Sequence, residues 1–242
     1  MTLLSYLLTP LFFLFFGLFL VLFHPLQVIT RNLFGARAHD HVVAALNFCL
    51  TGCLYILGTR LSFHHFKALP TDRPILFICN HQSMWDIPPA IWMLRKNRPK
   101  YIAKASLAKN IPSISYNLKY GGSVAIDRKN TEESKAKIET FAENVAKNNF
   151  SIVIYPEGTR SRNGKVAPFK QGGIESILNV IPEIDVVPIA IKNTGLIDNN
   201  GKFNKRLGIH ASFTMLPIRK LRKVNCTIEL EKIRNEIINC LK

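Results

Sequence analysis

The sequence predicts an α/β fold, in which a mostly parallel sheet is flanked by helices and preceded by an N-terminal apolar membrane helix or helical hairpin. Three observations support this prediction. Short, β-branched apolar runs alternate with longer amphipathic segments, the order expected of strand–helix–strand units. Several of these runs end in polar residues, as at the carboxyl edge of an open α/β sheet. The first 58 residues are almost free of charge, whereas the remainder is strongly basic.

The N-terminal region is predicted to lie in a membrane. Residues 3–23 contain no charged side chain and are long enough to cross a bilayer. They lack the basic start and the small-residue cleavage site of a signal peptide, so we expect them to be retained. Residues 42–58 form a shorter apolar segment, which could span the bilayer or turn back within one leaflet after a linker at 31–41. Residues 1–58 are therefore predicted to be membrane-anchoring helices.

The charge of the chain is concentrated after this region. The 242 residues have a net charge of +16, and residues 59–242 carry +15 of it. A basic domain next to an apolar helix favours an anionic membrane surface and anionic substrates as partners. The same basic excess predicts that residues 59–242 lie on the cytoplasmic side of the membrane. Nucleic acid would attract this charge too, but no basic helix, zinc finger or aromatic RNA-binding signature is present, so we predict no nucleic-acid partner.

Cysteine usage gives no sign of a disulfide framework or a metal site. The five cysteines form no C-x-x-C pair, which is typical of reduced thiols in the cytosol. No set of metal ligands with a characteristic spacing occurs in the sequence. We therefore predict neither a metal nor a resident cofactor.

Strands and helices are predicted in alternation after residue 58. Apolar, β-branched runs predict strands at 61–66, 74–79, 151–155 and 185–191, and an edge strand at 209–216. Apolar residues at helical spacing predict helices at 87–94, 130–148, 174–181 and 228–241. This alternation predicts parallel strands joined by helical crossovers.

The residues that follow the 74–79 strand suggest a general base. His81 lies in the turn after this strand, and Asp86 lies in the first turn of the next helix. With His81 still outside the helix, the carboxylate can reach back to the imidazole. It would hold the ring in one tautomer and leave the other nitrogen free to accept a proton near neutral pH. Ser83 and Asp86 also fit a capping box, in which Asp86 would instead satisfy the helix start.

Further candidate residues follow the predicted 151–155 strand or lie in the segments 101–107 and 121–128, and they suit an anionic substrate. Arginine, lysine and free backbone N–H groups are the usual ligands of a phosphate. The candidate binding residues are Lys104, Arg128, Glu157, Gly158, Thr159 and Arg160. Arg160 is the first candidate for the phosphate, and Glu157 could hold either Arg160 or a substrate hydroxyl.

The segments that contain these residues are His81 to Asp86, those around Lys104 and Arg128, and Glu157 to Arg160. In this order they resemble the glycerolipid acyltransferase family and, within it, the 1-acyl-sn-glycerol-3-phosphate (lysophosphatidic acid) acyltransferases. The resemblance covers roughly residues 61–217 and also includes Val187-Pro188-Ile189-Ala190. One departure concerns the loop after Ile111-Pro112. The family usually has an aromatic pair, then Gly and Trp, where this chain has Ser113-Ile114-Ser115-Tyr116. The shape of this loop is therefore not predicted by the resemblance.

The resemblance implies an enzyme of phospholipid biosynthesis, with residues 59–242 as its acyltransferase catalytic domain. Its reaction would transfer a fatty acyl group from an acyl thioester to the sn-2 hydroxyl of lysophosphatidic acid, giving phosphatidic acid. His81 would be the base and Asp86 its orienting carboxylate, so that no covalent acyl-enzyme is needed. The partners would be the lysophospholipid, the membrane, and a donor that is either acyl-CoA or acyl-carrier protein.

Other functions stay open at the level of the sequence. The acceptor could be glycerol 3-phosphate or a phosphate-free lysolipid, although the apolar N-terminus favours a lipid over water-soluble glycerol 3-phosphate. His81 could instead activate water in a hydrolase, but the sequence has no serine or cysteine elbow and no metal set to support this. The chain could also be a membrane-anchored binding protein without catalytic activity.

Overall fold

The structure is a computed structural model that describes residues 2–127, 129–161 and 164–242. Its strands are β1 (Arg60–His64), β2 (Ile75–Cys79), β3 (Pro99–Lys104), β4 (Val124–Ile126), β5 (Ser151–Ile154), β6 (Glu183–Lys192), β7 (His210–Met215) and β8 (Arg219–Arg222). Its helices are α1 (Thr2–Ile29), α2 (Gly35–Cys53), α3 (Ile87–Met93), α4 (Ile114–Tyr120), α5 (Thr131–Asn148), α6 (Gly172–Val180) and α7 (Cys226–Leu241).

The strands of the described residues form one sheet in the order β1-β7-β6-β2-β5-β3-β4, with β8 also paired to β6. The five strands β6, β2, β5, β3 and β4 are parallel to one another, which confirms the predicted α/β fold with a mostly parallel sheet. Strand β7 runs antiparallel to β6, and β1 runs parallel to β7. The carboxyl ends of the five parallel strands therefore meet at one edge of the sheet.

The prediction of an edge strand at 209–216 is wrong. Strand β7 lies between β1 and β6, and β1 is the outer strand. Side chains on β7 alternate between buried and exposed positions, which is the pattern of a strand with one covered face. This alternation reports how the faces of a strand are covered, but not whether both of its backbone edges are paired.

Helices cover both faces of the sheet. On β2, Leu76 and Ile78 point into a core formed with α5, α6 and α7. Ile75, Phe77 and Cys79 point to the other face, into a core that includes residues of α2 and α3. All five residues of β2 are buried, as expected for a central strand of a parallel sheet. This strand is therefore a rigid support for the residues that follow it.

The first two helices form a hairpin whose connection is shorter than predicted. A π-helical turn at Thr30–Phe34 joins them, and the second helix begins at Gly35, within the predicted 31–41 linker. This polar part of α2 contacts residues that precede and begin strand β3. Asp40 accepts hydrogen bonds from Arg98 Nε (2.8 Å) and Lys100 Nζ (2.5 Å).

Helix α1 has one buried stripe and a wide exposed apolar surface. Phe12 and Phe16 are buried and place their rings 5.1 and 5.6 Å from the ring of Trp85. The helical stretch Leu3–Leu57 contains a window with a mean hydropathy of 2.4, of which 22% is buried. By length and composition this stretch can cross a membrane. Its large exposed apolar side chains include Leu3, Leu4, Leu7, Leu14, Val21 and Leu22.

Candidate active site

The site begins where β2 ends. The buried side chain of Asn80 makes two hydrogen bonds to the backbone of Ile191 on β6. Its amide donates to the Ile191 carbonyl (2.8 Å) and its oxygen accepts from the Ile191 N–H (2.7 Å). These bonds extend the pairing of β2 with β6 past the end of the strand. The following residue, His81, therefore starts from a fixed backbone position.

His81 and Asp86 are in direct contact. His81 Nδ1 lies 2.8 Å from Asp86 Oδ2. The same oxygen accepts from the N–H groups of Gln82 (2.8 Å) and Ser83 (3.1 Å). Ser83 and Asp86 also complete a capping box around the helical turn Met84–Asp86. The two interpretations of Asp86, as a helix cap and as a partner of His81, therefore both hold in the structure.

The contact between His81 and Asp86 fits one arrangement of protons. An ionised carboxylate can only accept hydrogen bonds, so beside such a carboxylate His81 Nδ1 would donate and Nε2 would be left to meet another group. The Asp86 side chain is fully buried, whereas that of His81 is 14% exposed. A group that approaches from outside can thus meet the imidazole but not the carboxylate.

Thr194 is a site residue that the sequence analysis missed. It begins the 3₁₀ segment Thr194–Gly201 after β6, and its buried hydroxyl donates a short hydrogen bond to Asp86 Oδ1. Both oxygens of Asp86 are therefore held. Nothing in the sequence links Thr194 to Asp86, because the contact arises from the pairing of β6 with β2.

Residues that follow strand β5 contact His81 from its other side. Tyr155 follows β5 and stacks its ring on the imidazole at 4.2 Å and 28°. Burial raises the pKa of Tyr155 well above its usual value, so the phenol stays neutral. The N–H of Ser161 donates to the His81 carbonyl (2.8 Å). His81 is thus held by its ring face, its ring nitrogen and its backbone.

Glu157 contacts the backbone of this region with both carboxylate oxygens. Oε1 accepts from the His81 N–H (2.7 Å), and Oε2 accepts from the Ala167 N–H (2.8 Å). Burial raises the pKa of Glu157, while these two N–H groups act in the opposite direction. Glu157 therefore joins the 157–167 region to His81, and its predicted contact with substrate stays a prediction.

The remaining candidates of this turn lie at the surface. Gly158 has a left-handed backbone (φ +70°), which favours glycine, and an added Cβ would lie 3.2 Å from the Lys170 side chain. Thr159 and Arg160 follow and are exposed. Lys170 was not among the predicted residues, and it adds a cation beside this turn.

Two further predicted cations are Lys104 and Arg128. Lys104 ends β3, which pairs with β5, and it is exposed. It therefore lies at the same edge of the sheet as His81 and Arg160. Arg128 lies outside the described residues.

The loop that departs from the family pattern is attached to α1. Ser113 is buried with a left-handed backbone (φ +62°), and its hydroxyl donates to the Leu20 carbonyl (2.7 Å). Its N–H donates to His24 Nδ1 (3.1 Å). An open pocket of about 370 Å³ lies beside this contact and is lined in part by His24, Ile111 and Tyr116.

The fold and this site define a class of protein. It is an α/β protein with a histidine–carboxylate pair and exposed basic residues at the carboxyl edge of its sheet, and an apolar helix packs against this domain. The arrangement suits proton abstraction from a polar group of an amphipathic, anionic molecule.

Comparisons with known proteins agree with this class. The family model described as Acyltransferase matches residues 60–192, which is more than half of the chain. A 1-acyl-sn-glycerol-3-phosphate acyltransferase of Saccharomyces cerevisiae is 30% identical over 177 residues, which cover 70% of this chain and 56% of that protein. One of Cocos nucifera is 31% identical over 143 residues, covering 59% of this chain and 44% of that protein. The chain spans about half the length of the curated relatives it matches.

A solved structure has the same fold. The crystal structure of the 1-acyl-sn-glycerophosphate acyltransferase PlsC from Thermotoga maritima aligns with a TM-score of 0.76 and 19% identity, covering 98% of this chain and 97% of that one. The family model matches this chain by its sequence, and the structural alignment matches it by its fold. The chain belongs to the acyltransferase family.

Proposed function

We propose that this chain is a 1-acyl-sn-glycerol-3-phosphate acyltransferase, which transfers a fatty acyl group from an acyl thioester to the sn-2 hydroxyl of lysophosphatidic acid and gives phosphatidic acid. The observation that carries this proposal is the His81–Asp86 hydrogen bond at the sheet edge that also presents Arg160. The names of the relatives supply the substrate class.

The proposed reaction needs a base because an alcohol is a poor nucleophile. His81 Nε2 takes the proton of the acceptor hydroxyl as its oxygen attacks the thioester carbonyl. Asp86 keeps Nδ1 protonated and stabilises the imidazolium that forms. When the tetrahedral intermediate collapses, the C–S bond breaks and the leaving thiolate takes the proton from His81. The products are the ester and the free thiol, and the imidazole returns to its starting state.

The surroundings of this pair suit a phosphorylated acceptor in a membrane. Arg160, Lys104 and Lys170 supply positive charge around the base, and a guanidinium can bind a phosphate through two hydrogen bonds. The exposed apolar surface of α1 would hold the chain at the bilayer in which the acceptor resides. The basic excess after residue 58 favours the cytoplasmic side.

A donor and acceptor panel with detergent-purified, full-length protein tests the proposal. Acyl-CoA and acylated acyl-carrier protein are offered as donors, because both carry the acyl group as a thioester. Lysophosphatidate, glycerol 3-phosphate and a matched monoacylglycerol are offered as acceptors, with the His81→Ala variant as the blank. Lysophosphatidate should be acylated with the highest kcat/KM.

Two outcomes would contradict the proposal. If the wild type preferred monoacylglycerol or glycerol 3-phosphate, the proposed acceptor would be wrong, but the proposed acyl-transfer chemistry would stand. Thioester cleavage at full rate without any acceptor, lost in His81→Ala, would instead identify a hydrolase.

A further inference from the structure

A second apolar and basic surface lies beside α1 and takes no part in the proposed chemistry. It consists of residues 202–206, in the connection between β6 and β7, and we call it the rim. Phe203 is 60% exposed, and Lys202 and Arg206 on either side of it are exposed too. A single exposed apolar residue is common on protein surfaces, so Phe203 is informative only if it belongs to a larger exposed apolar patch.

The rim is attached to the first turns of α1. Ser5 Oγ donates to the Lys205 carbonyl (2.7 Å), and the Lys205 N–H donates to Thr9 Oγ1 (2.9 Å). The Asn204 amide donates to Ser5 Oγ (3.2 Å). Because backbone groups and buried side chains make these bonds, the rim keeps a fixed position relative to the helix.

This attachment makes the rim continuous with the apolar surface of α1. The ring of Phe203 lies 6.2 Å from that of Phe13 on α1, and the same helix carries Leu3 and Leu7, which are 77% and 65% exposed. Lys205 Nζ is engaged by Asp198 (3.1 Å), and Arg206 Nε donates a longer hydrogen bond to Asn199 Oδ1 (3.4 Å). Lys202 and Arg206 are both exposed and are the cations that the rim offers to a partner.

We propose that the rim is a second contact with the membrane, in which Phe203 enters the headgroup region of a bilayer and Lys202 and Arg206 meet anionic lipid headgroups. The inference rests on the proposed membrane-bound function. An aromatic ring suits the boundary between headgroups and acyl chains, and basic residues are attracted to an anionic leaflet. Continuity with α1 and complementary charge both favour a bilayer over a second copy of this basic chain.

The contact would set the position of the active site. Asp198 accepts from Trp85 Nε1 (2.8 Å), and Trp85 immediately precedes Asp86. At the start of the same 3₁₀ segment, Thr194 donates to Asp86. A rim seated in the headgroups therefore keeps His81 close to the bilayer surface, where the hydroxyl of a lysophospholipid is found.

Tryptophan fluorescence of the full-length protein in vesicles tests this proposal. The Phe203→Trp variant is reconstituted in vesicles of phosphatidylcholine and phosphatidylglycerol with brominated acyl chains. The matched control is Val224→Trp, because Val224 is 93% exposed and follows β8, which pairs with the opposite, amino end of β6. Native Trp85 and Trp92 contribute equally to both variants.

The Phe203→Trp variant should show a blue shift, quenching by the brominated lipid and protection from aqueous acrylamide, and Val224→Trp should show none of these. Replacing Lys202 and Arg206 by Gln should raise the KM for vesicle-borne acceptor by about five-fold per charge in anionic vesicles. This change should be absent in pure phosphatidylcholine, and kcat in detergent should stay unchanged.

Two results would overturn the proposal. The first is equal acrylamide quenching of both tryptophan variants without an effect of brominated lipid. The second is protection of the Phe203→Trp ring that rises with protein concentration in detergent, which would identify a second copy as the partner. The fluorescence does not depend on turnover, so lipid quenching in a protein without acyl transfer would refute the proposed function and leave the rim contact standing.

Discussion

Two buried carboxylates stand on either side of His81 and act on different parts of it. Asp86 bonds to the ring, and its second oxygen is held by Thr194. Glu157 bonds only to backbone N–H groups, those of His81 and Ala167. Asp86 therefore contacts the imidazole itself, whereas Glu157 contacts only the backbone around it. Loss of the first should change chemistry more than stability, and loss of the second should change both.

His81→Ala should have the largest effect, because it removes the proposed base, which Asp86 contacts at the ring. We expect kcat/KM to fall by about 10⁴-fold, the upper end of what a general base contributes. The melting temperature and the far-ultraviolet circular dichroism should stay close to those of the wild type. Activity within a few-fold of wild type would show that another group takes the proton.

Asp86→Asn should lower kcat/KM by about 10³-fold, because an amide N–H facing Nδ1 favours the wrong imidazole tautomer. Steady-state kinetics on lysophosphatidate measure this loss, and thermal unfolding measures the smaller effect on the helix cap. A loss of activity that merely follows a loss of folded protein would reduce Asp86 to a structural residue.

Glu157→Gln tests the other half of the comparison. The glutamine oxygen can accept a hydrogen bond from one of the two backbone N–H groups. The side-chain NH₂ group would then face the second N–H, and two donors cannot bond to each other. An unsatisfied buried donor costs about 1–3 kcal/mol, so thermal stability should fall clearly. The kcat/KM should fall by about 10- to 100-fold. If stability were unchanged while activity fell as far as in Asp86→Asn, Glu157 would contact the substrate as the sequence predicts.

Arg160→Ala should damage only the use of a phosphorylated acceptor, because Arg160 is exposed and does not support His81. A charge-assisted contact is worth about 1.5–3 kcal/mol, or roughly a 10- to 100-fold loss. The comparison is kcat/KM for lysophosphatidate against a matched monoacylglycerol. Arg160→Lys should recover little if two hydrogen bonds are made. Equal losses on both acceptors would assign Arg160 a structural role.

Thr194→Ala should give the smallest loss, about ten-fold in kcat, because Asp86 keeps its bonds to His81 and to the backbone. Thr194→Ser retains the hydroxyl and serves as the matched control. The pH profile of kcat/KM should shift in the alanine variant and return in the serine variant. An unchanged profile in both would mean that Thr194 only packs against Asp86.

The sequence predicted what depends on neighbouring residues. His81 and Asp86 belong to one turn, so their contact follows from local geometry. The order of strands and helices predicted the sheet, and the carboxyl ends of its parallel strands brought Lys104, Glu157 and Arg160 to one edge. The sequence did not predict which residues the side chains at this edge contact.

The missed features depend on residues far apart in the chain. Thr194 reaches Asp86 because β6 pairs with β2, and the first turns of α2 contact the rest of the protein through the salt bridges of Asp40 with Arg98 and Lys100. The inner position of β7 depends on its pairing with β1. None of these pairings leaves a pattern within either segment alone.

The pairing of β1 with β7 has a consequence for the order of folding. Arg60 at the start of β1 pairs with His210, so the sheet cannot be completed until most of the chain has been synthesised. Pairing between such distant segments is slow, because a long loop must close first. Helices α1 and α2 leave the ribosome well before Trp85 and Ile197, which cover Phe12 in the finished protein. Throughout that interval the apolar side chains of these helices that Trp85 later covers are not yet buried by the rest of the chain.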